Sequence, residues 1–333
     1  MPGIKAQYLD EISLGVEYEL FEDFALSVAY INRRIGRVIE DVSSDGGSTY
    51  VIANPGEIDS GKIADLRREA DQIESMDPVR AELLRFQADQ FEAVGEFDEP
   101  TRDYNAIEIL AKKRFSKNVF GQASYTFSKT RGNFPGLFSP DTGQLDPNLT
   151  SMYDLPELMA NRFGNLPQDI PHRFKLDGYY NFVLAANSSI VTGGSVRMAS
   201  GVPYNVLGSH TAYGTGESFV LPRGAAGRSP FTSAMDIHIA YAHRLSKTMK
   251  LEGFFDIFNL FNQQPELSVD QNYTFDNVNP IVGGDKDDLR HLKALDPSND
   301  KPSAVLAEEN PNFLNTSSRQ APLSVRLGLR LTF

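Results

Sequence analysis

The last eleven residues of the chain, 323–333, read LSVRLGLRLTF. Apolar residues occupy every second position of this segment, and the residues between them are Ser324, Arg326, Gly328, Arg330 and Thr332. Successive side chains of a β-strand point to opposite faces, so the segment has one apolar face and one polar face. The pattern predicts a strand that separates an apolar environment from a polar one.

The same alternation recurs in eight earlier segments, which pair into four hairpins. The paired segments are 11–20 with 24–30, 107–111 with 119–127, 174–182 with 189–202, and 237–241 with 249–257. Short turns are expected near 21–23, 115–117, 184–188 and 245–248, because two alternating runs joined by a few residues are typical of a β-hairpin. With the final segment, the sequence predicts nine antiparallel strands.

The connections between these hairpins are much longer than the turns within them. They cover 41–101, 132–171, 203–233 and 262–319, and they are rich in Gly, Pro, Asn and Asp. Outer-membrane barrels have short periplasmic turns and long extracellular loops, whereas connections in compact soluble domains have a median of about 4 to 6 residues. We therefore predict an all-β fold: an antiparallel outer-membrane β-barrel segment of about nine strands, forming an open or half barrel.

This fold assigns each strand residue to lipid or to the barrel lumen. The alternation places Leu14 and Tyr125 on the lipid side, and it places Ser13 and Ser124 on the lumenal side. The two ends of the sheet, near Tyr8 and at 320–333, are expected to stay unpaired with each other, since nine strands starting outside the cell are an odd number.

The first long loop is predicted to carry a short helix. Asp77-Pro78 is a good helix start, with Asp as the N-cap and Pro at the first helical position. An apolar stripe follows, formed by Val79, Leu83, Phe86 and Gln90 with Leu84 and Phe91 beside it. A weaker helical stretch covers 62–76. The helix is either a decoration packed on the barrel rim or a lid that grips a ligand.

The composition excludes several classes of function. The chain has 333 residues, no cysteine and a formal net charge of −12. Without cysteine there is no disulfide framework and no thiolate site. Nucleic acid is not an expected partner, since binding phosphates requires a concentration of Lys and Arg. No apolar run reaches the roughly 18 residues that a transmembrane helix needs.

No set of residues indicates catalysis, so no enzyme activity, cofactor or metal is expected. The motifs HExxH, GxSxG and the P-loop are absent. His238 and His243 lie five residues apart on one predicted strand and therefore face opposite sides. Asp285, Asp287 and Asp288 lack the full calcium-loop pattern and are expected in an exposed loop.

The C-terminal strand matches the pattern of the outer-membrane β-signal. Its marker residues are Arg326, Gly328, Leu331 and Phe333, which supply a polar residue, a glycine, an apolar residue and a terminal aromatic. In proteins that carry this signal, the barrel-assembly machinery recognises the strand by adding it to an open sheet edge. The alternative is an ordinary amphipathic strand that happens to end the chain.

Several short motifs resemble the TonB-dependent receptors. Residues 256–262, DIFNLFN, are similar to the N-L-F-N stretch in the penultimate strand of that family. Motifs that resemble its Oar-like branch are RDYNAIE at 102–108, KRFS at 113–116, PHRF at 171–174 and SGVPYN at 200–205. The resemblance implies an outer-membrane transporter with a 22-stranded barrel and a plugged lumen, energised from the inner membrane through TonB.

The resemblance also implies segments that are not visible here. Family members have an N-terminal plug with a TonB box, so residues 1–333 are expected to be a partial barrel without the plug and the N-terminal strands. The start, MPGIK at 1–5, lacks the features of a signal peptide. The expected partners are outer-membrane lipid and the barrel-assembly machinery, with TonB reached only through the plug of the parent protein.

Three functions remain open at this point. The first is uptake or binding of a ligand at the surface of a Gram-negative cell, with contacts from the lumenal face and the long loops. The second is an adhesion or scaffold protein without transport. The third is an outer-membrane hydrolase, which needs a Ser, His and acid constellation for which the sequence gives no support.

Overall fold

Nine long strands dominate the computed structural model, which describes residues 1, 3–136, 138 and 151–333. The strands are β1 (Tyr8–Phe21), β2 (Phe24–Arg37), β3 (Arg102–Ser116), β4 (Val119–Gly132), β5 (His172–Ala185), β6 (Ser188–Ala199), β7 (Thr232–Arg244), β8 (Lys250–Phe258) and β9 (Ser324–Thr332). Within the described ranges, no helix is both long enough and apolar enough to cross a membrane.

The nine strands form one antiparallel sheet in sequence order. Each strand pairs with the next along the chain, from the β1–β2 hairpin to the β8–β9 pair. The two-residue strand Gly164–Asn165 adds to the end of β4. In the part of the chain that the structure describes, β1 and β9 are the free edges, and they do not pair with each other. The predicted open sheet of nine antiparallel strands is confirmed.

The short turns lie where the alternation predicted them, with one correction. The sequence placed the second turn at 115–117, but β3 continues to Ser116 and the turn is formed by Lys117 and Asn118. Both turn residues have positive φ, at 48° and 67°. A two-residue turn with two positive φ angles matches the right-handed twist of the flanking strands. It allows β3 to run two residues further than predicted, whereas β4 begins at Val119 as predicted.

The two faces of the sheet have different chemistry. On one face, cross-strand neighbours are apolar: Tyr30 pairs with Leu14 and Ile107, and Ile107 pairs with Phe127. We call this the apolar face. Its side chains are exposed, with Leu14 66% and Leu329 82% accessible. A sheet face this apolar and this exposed is typical of contact with hydrocarbon.

The opposite face, which we call the polar face, carries charged and small side chains. Ser124 on this face pairs with Lys175, and Lys175 pairs with Arg197. Arg197 also donates to Asp177 at 2.5 Å. The face therefore suits an aqueous lumen rather than lipid.

Four long connections fold against one end of the sheet, opposite the short turns. We call their described residues the loop cap; they belong to 38–101, 133–171, 200–231 and 259–323. The connection predicted at 132–171 is described only at 132–136, 138 and 151–171, so the rest of it lies outside the described residues.

The loop cap has its own short elements. Its short strands are Glu40–Val42, Val51–Ala53, Gly164–Asn165, Pro203–Tyr204, Leu207–His210, Gly214–Phe219, Gly227–Arg228, Glu266–Val269, Asn272–Asn277, Lys293–Asp296, Lys301–Leu306 and Thr316–Arg319. Its 3-10 turns are Val94–Glu96, Ser151–Tyr153, Pro156–Met159 and Lys286–His291. Strand Leu207–His210 also pairs in parallel with Asn272–Asn277, which joins two connections that are distant in sequence.

The hydrophobic core lies in the loop cap and not in the sheet. Within the nine strands, the buried apolar residues are all alanines: Ala25, Ala106, Ala240 and Ala242. The large buried side chains belong to the cap, including Tyr153, Phe219 and Leu221. On the apolar face, large side chains such as Leu14 and Leu329 stay exposed, because no second layer of described residues packs against the sheet there.

Two helices in the first connection confirm the predicted helix at Asp77-Pro78 and show that the weaker stretch is also helical. They are α1 (Ser60–Ile73) and α2 (Pro78–Ala93). The side chain of Asp59 caps α1 by accepting from the Lys62 N–H, and Asp77 caps α2 in the same way from Arg80.

The predicted apolar stripe is not the buried side of α2. Val79, Leu83 and Phe86 are exposed, whereas Ala81, Ala88 and Phe91 are buried. Alanines on α2 face α1, where Ala70 is also fully buried, and small side chains allow the two helices to approach closely. Close helix packing, rather than the largest apolar surface, therefore sets the orientation of α2.

The assignment of faces predicts opposite effects for neighbouring substitutions. Leu14→Arg and Tyr125→Arg each place a cation on the apolar face, which costs about 2 to 4 kcal/mol near the bilayer midplane. Ser13→Arg and Ser124→Arg are the matched controls on the polar face and should cost far less. Folding of the intact gene product into liposomes, followed by urea titration, measures the difference. Equal losses within either pair would contradict the assignment.

Candidate functional site: the polar face, the loop cap and the C-terminal strand

The C-terminal strand β9 is held to β8 by charged contacts on the polar face. Asp256 is 5% exposed and lies between two partners, His238 and Arg326. The His238 Nδ1 atom is 2.5 Å from its carboxylate, and Arg326 donates to the other carboxylate oxygen at 2.7 Å. Further along, Glu252 accepts from Lys250 at 2.9 Å and from Arg330 at 3.2 Å. The result is a ladder of charges across β7, β8 and β9.

Gly328 makes room for an aromatic ring at the centre of this ladder. Phe254 is the cross-strand partner of Gly328, and a Cβ atom at Gly328 would lie 2.2 Å from the Phe254 ring. The ring is flanked by two guanidinium groups, Arg326 at 5.5 Å and Arg330 at 5.8 Å from its centroid. Both contacts have the geometry of cation–π interactions. A side chain at Gly328 would push the ring out of this arrangement.

The predicted assembly residues divide between the two faces of β9. Arg326 and Gly328 lie on the polar face and contact Asp256 and Phe254. Leu331 pairs with Leu251 on the apolar face. Phe333 follows the end of β9 and is 91% exposed. Arg326 and Gly328 therefore contact neighbouring residues of β8. Leu331 lies on the apolar face, and Phe333 lies exposed after the end of the strand.

Sequence reasoning missed the β8 partners of this strand. Asp256, Phe254 and Glu252 alternate with Phe255 and Gly253, so the period-two pattern places them on the polar face. The signal was therefore present, but the register that sets each one opposite a residue of β9 was needed to identify its partner.

The DIFNLFN motif positions the start of β9. Asn259 and Asn262 both adopt a positive φ of 51°, a backbone region that asparagine tolerates better than most residues. The Asn259 side chain donates to the carbonyl of Ala321 at 2.8 Å, and the Asn262 side chain accepts from the Leu323 N–H at 2.9 Å. The two asparagines therefore close the long connection 259–323 by fixing its last residues beside its first.

His238 and His243 lie on opposite faces of β7, as their spacing indicated. His238 contacts Asp256 on the polar face, and His243 contacts the Ser188 hydroxyl at 2.8 Å on the other face. His172 lies at the start of β5 and hydrogen-bonds Tyr125 at 2.7 Å. Among the residues that the structure describes, no group of three or more His, Asp or Glu side chains could hold a metal ion.

Buried ion pairs join different connections of the loop cap. Asp169 is 1% exposed and accepts from Arg228, which lies in the next connection along the chain. Its other oxygen accepts from the Thr130 N–H at 2.6 Å, so this pair also fixes the cap to β4. Arg162 is 3% exposed and reaches Glu217 at 3.3 Å. Both pairs join the connection 133–171 to the connection 200–231, and removing one partner of such a pair leaves a buried charge uncompensated.

Glu40 is a buried carboxyl that forms no ion pair with the residues the structure describes. It is 3% exposed, and its Oε2 atom has no hydrogen-bond partner among the described residues. Burial raises the pKa of Glu40 from 4.5 to about 7, and the nearby charge of Asp41 adds to the shift. Burial likewise raises the pKa of Asp154, although the Tyr50 hydroxyl donates to that carboxyl at 3.2 Å.

A cavity of about 470 Å³ lies where the cap meets the polar face of β1, β2 and β3. It is lined by Gln7, Tyr8, Leu9, Ile35, Arg37, Val38, Glu40, Arg102, Phe134 and Gly136. A second space of about 430 Å³ shares Leu9, Ile35 and Arg102 with it. These volumes fall in the range of small-molecule sites.

Comparison with known proteins gives one family and one sequence relative. The outer membrane beta barrel domain family matches residues 1–241. The TonB-dependent transporter Oar of Myxococcus xanthus is 40% identical to the chain over 338 residues. That alignment covers 100% of this chain and 29% of the transporter, so the chain spans less than a third of its relative.

Solved structures give weaker similarities. The closed form of the Ferric-Catecholate import receptor Fiu from K12 E. coli has 12% identity and a TM-score of 0.40, covering 80% of this chain and 25% of the receptor. The outer membrane protein OmpT of Vibrio cholerae has 9% identity and a TM-score of 0.28, covering 98% of this chain and 55% of that protein.

The packing of Phe254 on Gly328 predicts the effect of adding one methyl group. Gly328→Ala should destabilise the intact gene product by about 1 to 3 kcal/mol, because the ring must leave its place between two arginines. Gly121→Ala is the matched control, since its Cβ would meet only the Asp177 carbonyl at 3.9 Å. Urea unfolding in micelles, followed by circular dichroism, measures both. In the Phe254→Ala background the cost of Gly328→Ala should vanish; an unchanged cost would contradict the packing.

Burial of Glu40 predicts that the loop cap loosens as pH rises. A carboxyl whose folded pKa is raised favours folding while it is neutral, and this stability is lost between its ordinary pKa of 4.5 and the folded value of about 7. The loss is on the order of 3 kcal/mol at most. It should appear in hydrogen exchange of the Ser43 amide, which bonds to the Tyr153 carbonyl at 2.8 Å.

The Glu40→Gln variant is the control for this pH effect. It keeps the size of the side chain but cannot ionise, so its protection factors between pH 5 and pH 8 should fall much less than those of the natural chain. A remaining slope is expected, since the pKa of Asp154 is raised in the same direction. Identical slopes in the two proteins would show that Glu40 does not titrate in this range.

Proposed function

The chain belongs to the outer-membrane β-barrel domain family of Gram-negative bacteria, and from this premise we propose that it forms part of the barrel wall of a TonB-dependent transporter that takes up a ligand. In this proposal the polar face lines the lumen, the apolar face contacts lipid, and the loop cap faces the outside of the cell. The short turns face the periplasm.

One observation carries the proposal: an alignment to a TonB-dependent transporter at 40% overall identity covers the whole chain, so it spans the cap as well as the strands. Loops are usually the most variable parts of a barrel. A cap that is built on buried ion pairs and fixed to the polar face at Thr130 is suited to shaping a binding surface at the mouth of the lumen. In this proposal a ligand binds that surface and is not acted on by a catalytic group. The transporter relative supports a non-enzymatic role.

In this proposal the energy for transport would enter through another part of the protein. TonB would act on a plug, and these strands would provide the channel wall and the outer binding surface. The ladder of Asp256, His238 and Arg326 would then line the path beside the plug. Its exposed members would form polar contacts with the plug surface.

Uptake by living cells tests this function. A strain without the gene should lose depletion of one class of solute from a defined mixture of peptides, siderophores and glycans, measured by mass spectrometry of the medium. The intact gene product should restore depletion, and a protonophore should abolish it, since TonB transmits energy from the inner membrane. If depletion of every solute were independent of the gene, the transport proposal would fail.

The alternative proposal is adhesion or scaffolding without transport. The exposed apolar side chains Val79, Leu83 and Phe86 on α2 favour it, because an uncovered apolar stripe on a cap helix is suited to contact another surface. The same gene deletion distinguishes the two functions. Loss of attachment between cells or to a surface, with unchanged solute depletion, would favour adhesion.

We also propose that β9 is the assembly signal, with Arg326, Gly328, Leu331 and Phe333 as its recognised residues. The edge of β9 is unpaired among the described residues, so its backbone groups are free to add to a sheet edge of the barrel-assembly machinery. The fully exposed Phe333 would then be bound by an apolar site on that partner.

Phe333→Ala should lower the amount of the intact gene product in the outer membrane several-fold. Thr332→Ala is the matched control, since Thr332 pairs with Lys250 on the polar face and leaves the terminal aromatic in place. Membrane levels are measured by quantitative immunoblotting at equal synthesis rates. Equal levels of both variants and the natural chain would refute a recognition role for Phe333.

A further inference from the structure

Arg102 lines the cavity beneath the loop cap and differs from the neighbouring arginines in its ion pairing. Three arginines line the cavity and the adjoining space: Arg33, Arg37 and Arg102. Arg33 donates to Glu11 at 2.6 Å, and Arg37 forms an ion pair with Glu57. Among the described residues, Arg102 has no carboxylate within ion-pairing distance. A half-buried guanidinium that lines two joined cavities without an anion can bind an anionic group from a ligand.

Glu40 lines the same cavity and needs a hydrogen-bond donor, whereas Arg102 needs an anion. Its carboxyl is buried, and its Oε2 atom accepts no hydrogen bond from the described residues. No ion pair joins Glu40 to Arg102, although both line the 470 Å³ space. A buried acceptor without a donor is unfavourable. The Oε2 atom is covered by the protein, so the Glu40 side chain must turn toward the cavity before a ligand N–H group can reach it and satisfy it.

Apolar side chains form the rest of the lining. Leu9, Ile35, Val38 and Phe134 line the same space as the two polar groups, and Tyr8 adds an aromatic ring whose face is already covered by Arg37 at 5.3 Å. The site therefore combines one cation, one hydrogen-bond acceptor and an apolar wall. A ligand that matches it needs a carboxylate, an N–H donor and an apolar group on a small frame.

We propose that this cavity binds the C-terminal end of a short apolar peptide. The terminal carboxylate pairs with Arg102, a backbone N–H donates to Glu40, and the last side chain packs among Leu9, Ile35 and Val38. This assignment rests on the proposed function of ligand uptake, and it names peptides as the class of ligand. The binding step itself needs no TonB and no membrane potential.

Binding is measured on the intact gene product in detergent micelles by isothermal titration calorimetry. The probe is the tripeptide Ala-Leu-Phe with a free carboxylate, and the matched probe is the same tripeptide with a C-terminal amide. The free acid should bind at least tenfold more tightly than the amide, because only the acid pairs with Arg102. Equal affinities, or no binding of either peptide, would overturn the proposal.

Two variants locate the binding in the cavity. Arg102→Gln should weaken binding of the free acid at least tenfold and leave the amide unchanged, while Lys175→Gln on the polar face of β5 should change neither. Glu40→Ala should weaken both peptides, since both carry the backbone N–H. Circular dichroism confirms that each variant is folded. Unaltered affinity for the acid in Arg102→Gln would overturn the proposal.

The result is separable from the transport experiment. Peptide binding that fails in micelles, with solute depletion in cells still dependent on the gene, would remove the peptide site and keep the transporter. Peptide binding without any gene-dependent depletion would keep the site and remove transport.

Discussion

Every backbone N–H and C=O group that enters hydrocarbon must be paired within the protein, because no water is present there to replace a missing partner. That constraint explains why nine strands follow one another in sequence order, each hydrogen-bonded to the next. It also explains the alternation, since a strand between lipid and an aqueous lumen has one apolar face and one polar face. The large apolar side chains of the apolar face are exposed, as this constraint requires.

The loop cap obeys a different rule, because its connections pack on one another beyond the end of the sheet. There the chain buries large side chains such as Tyr153 and Phe219 and holds its connections together with ion pairs of low exposure. A charge buried in this way is stable only beside its partner, so these ion pairs favour one arrangement of the connections they join. Among the described residues Arg102 and Glu40 are exceptions, since Arg102 has no carboxylate partner and the Glu40 Oε2 atom has no hydrogen-bond donor. Binding sites are commonly found at such exceptions, since a ligand can provide what the protein does not.

The sheet was predictable from the sequence because its information is local and periodic. Alternation over ten residues identifies a strand, its faces and its turn, as in the hairpin of β1 and β2. The exact turn at Lys117 and Asn118 was not predictable from the alternation, since it depends on two positive φ angles. For α2 the apolar stripe misled, because the fit between small alanines outweighed the burial of Val79, Leu83 and Phe86.

The contacts of the candidate site were beyond prediction for a physical reason. Asp169 and Arg228 are 59 residues apart, and no periodic pattern indicates that they meet. The same holds for Glu40 and Arg102, which come to one cavity only because two connections fold over three strands. By contrast, the partners of Arg326 and Gly328 follow from strand register once the hairpins are known. Prediction from the sequence therefore succeeded for contacts that repeat along a strand, and it failed for single contacts between distant residues.

The central claim is that the sheet separates lipid from water, and accessibility along one strand tests it directly. The chain has no cysteine, so each residue of β7 from Ala234 to His243 can be replaced singly by a spin-labelled cysteine in the intact gene product. In liposomes, labels at odd positions should respond to oxygen in the lipid, and labels at even positions should respond to a water-soluble nickel reagent. Accessibility that does not alternate along β7, or alternates in the opposite phase, would contradict the account.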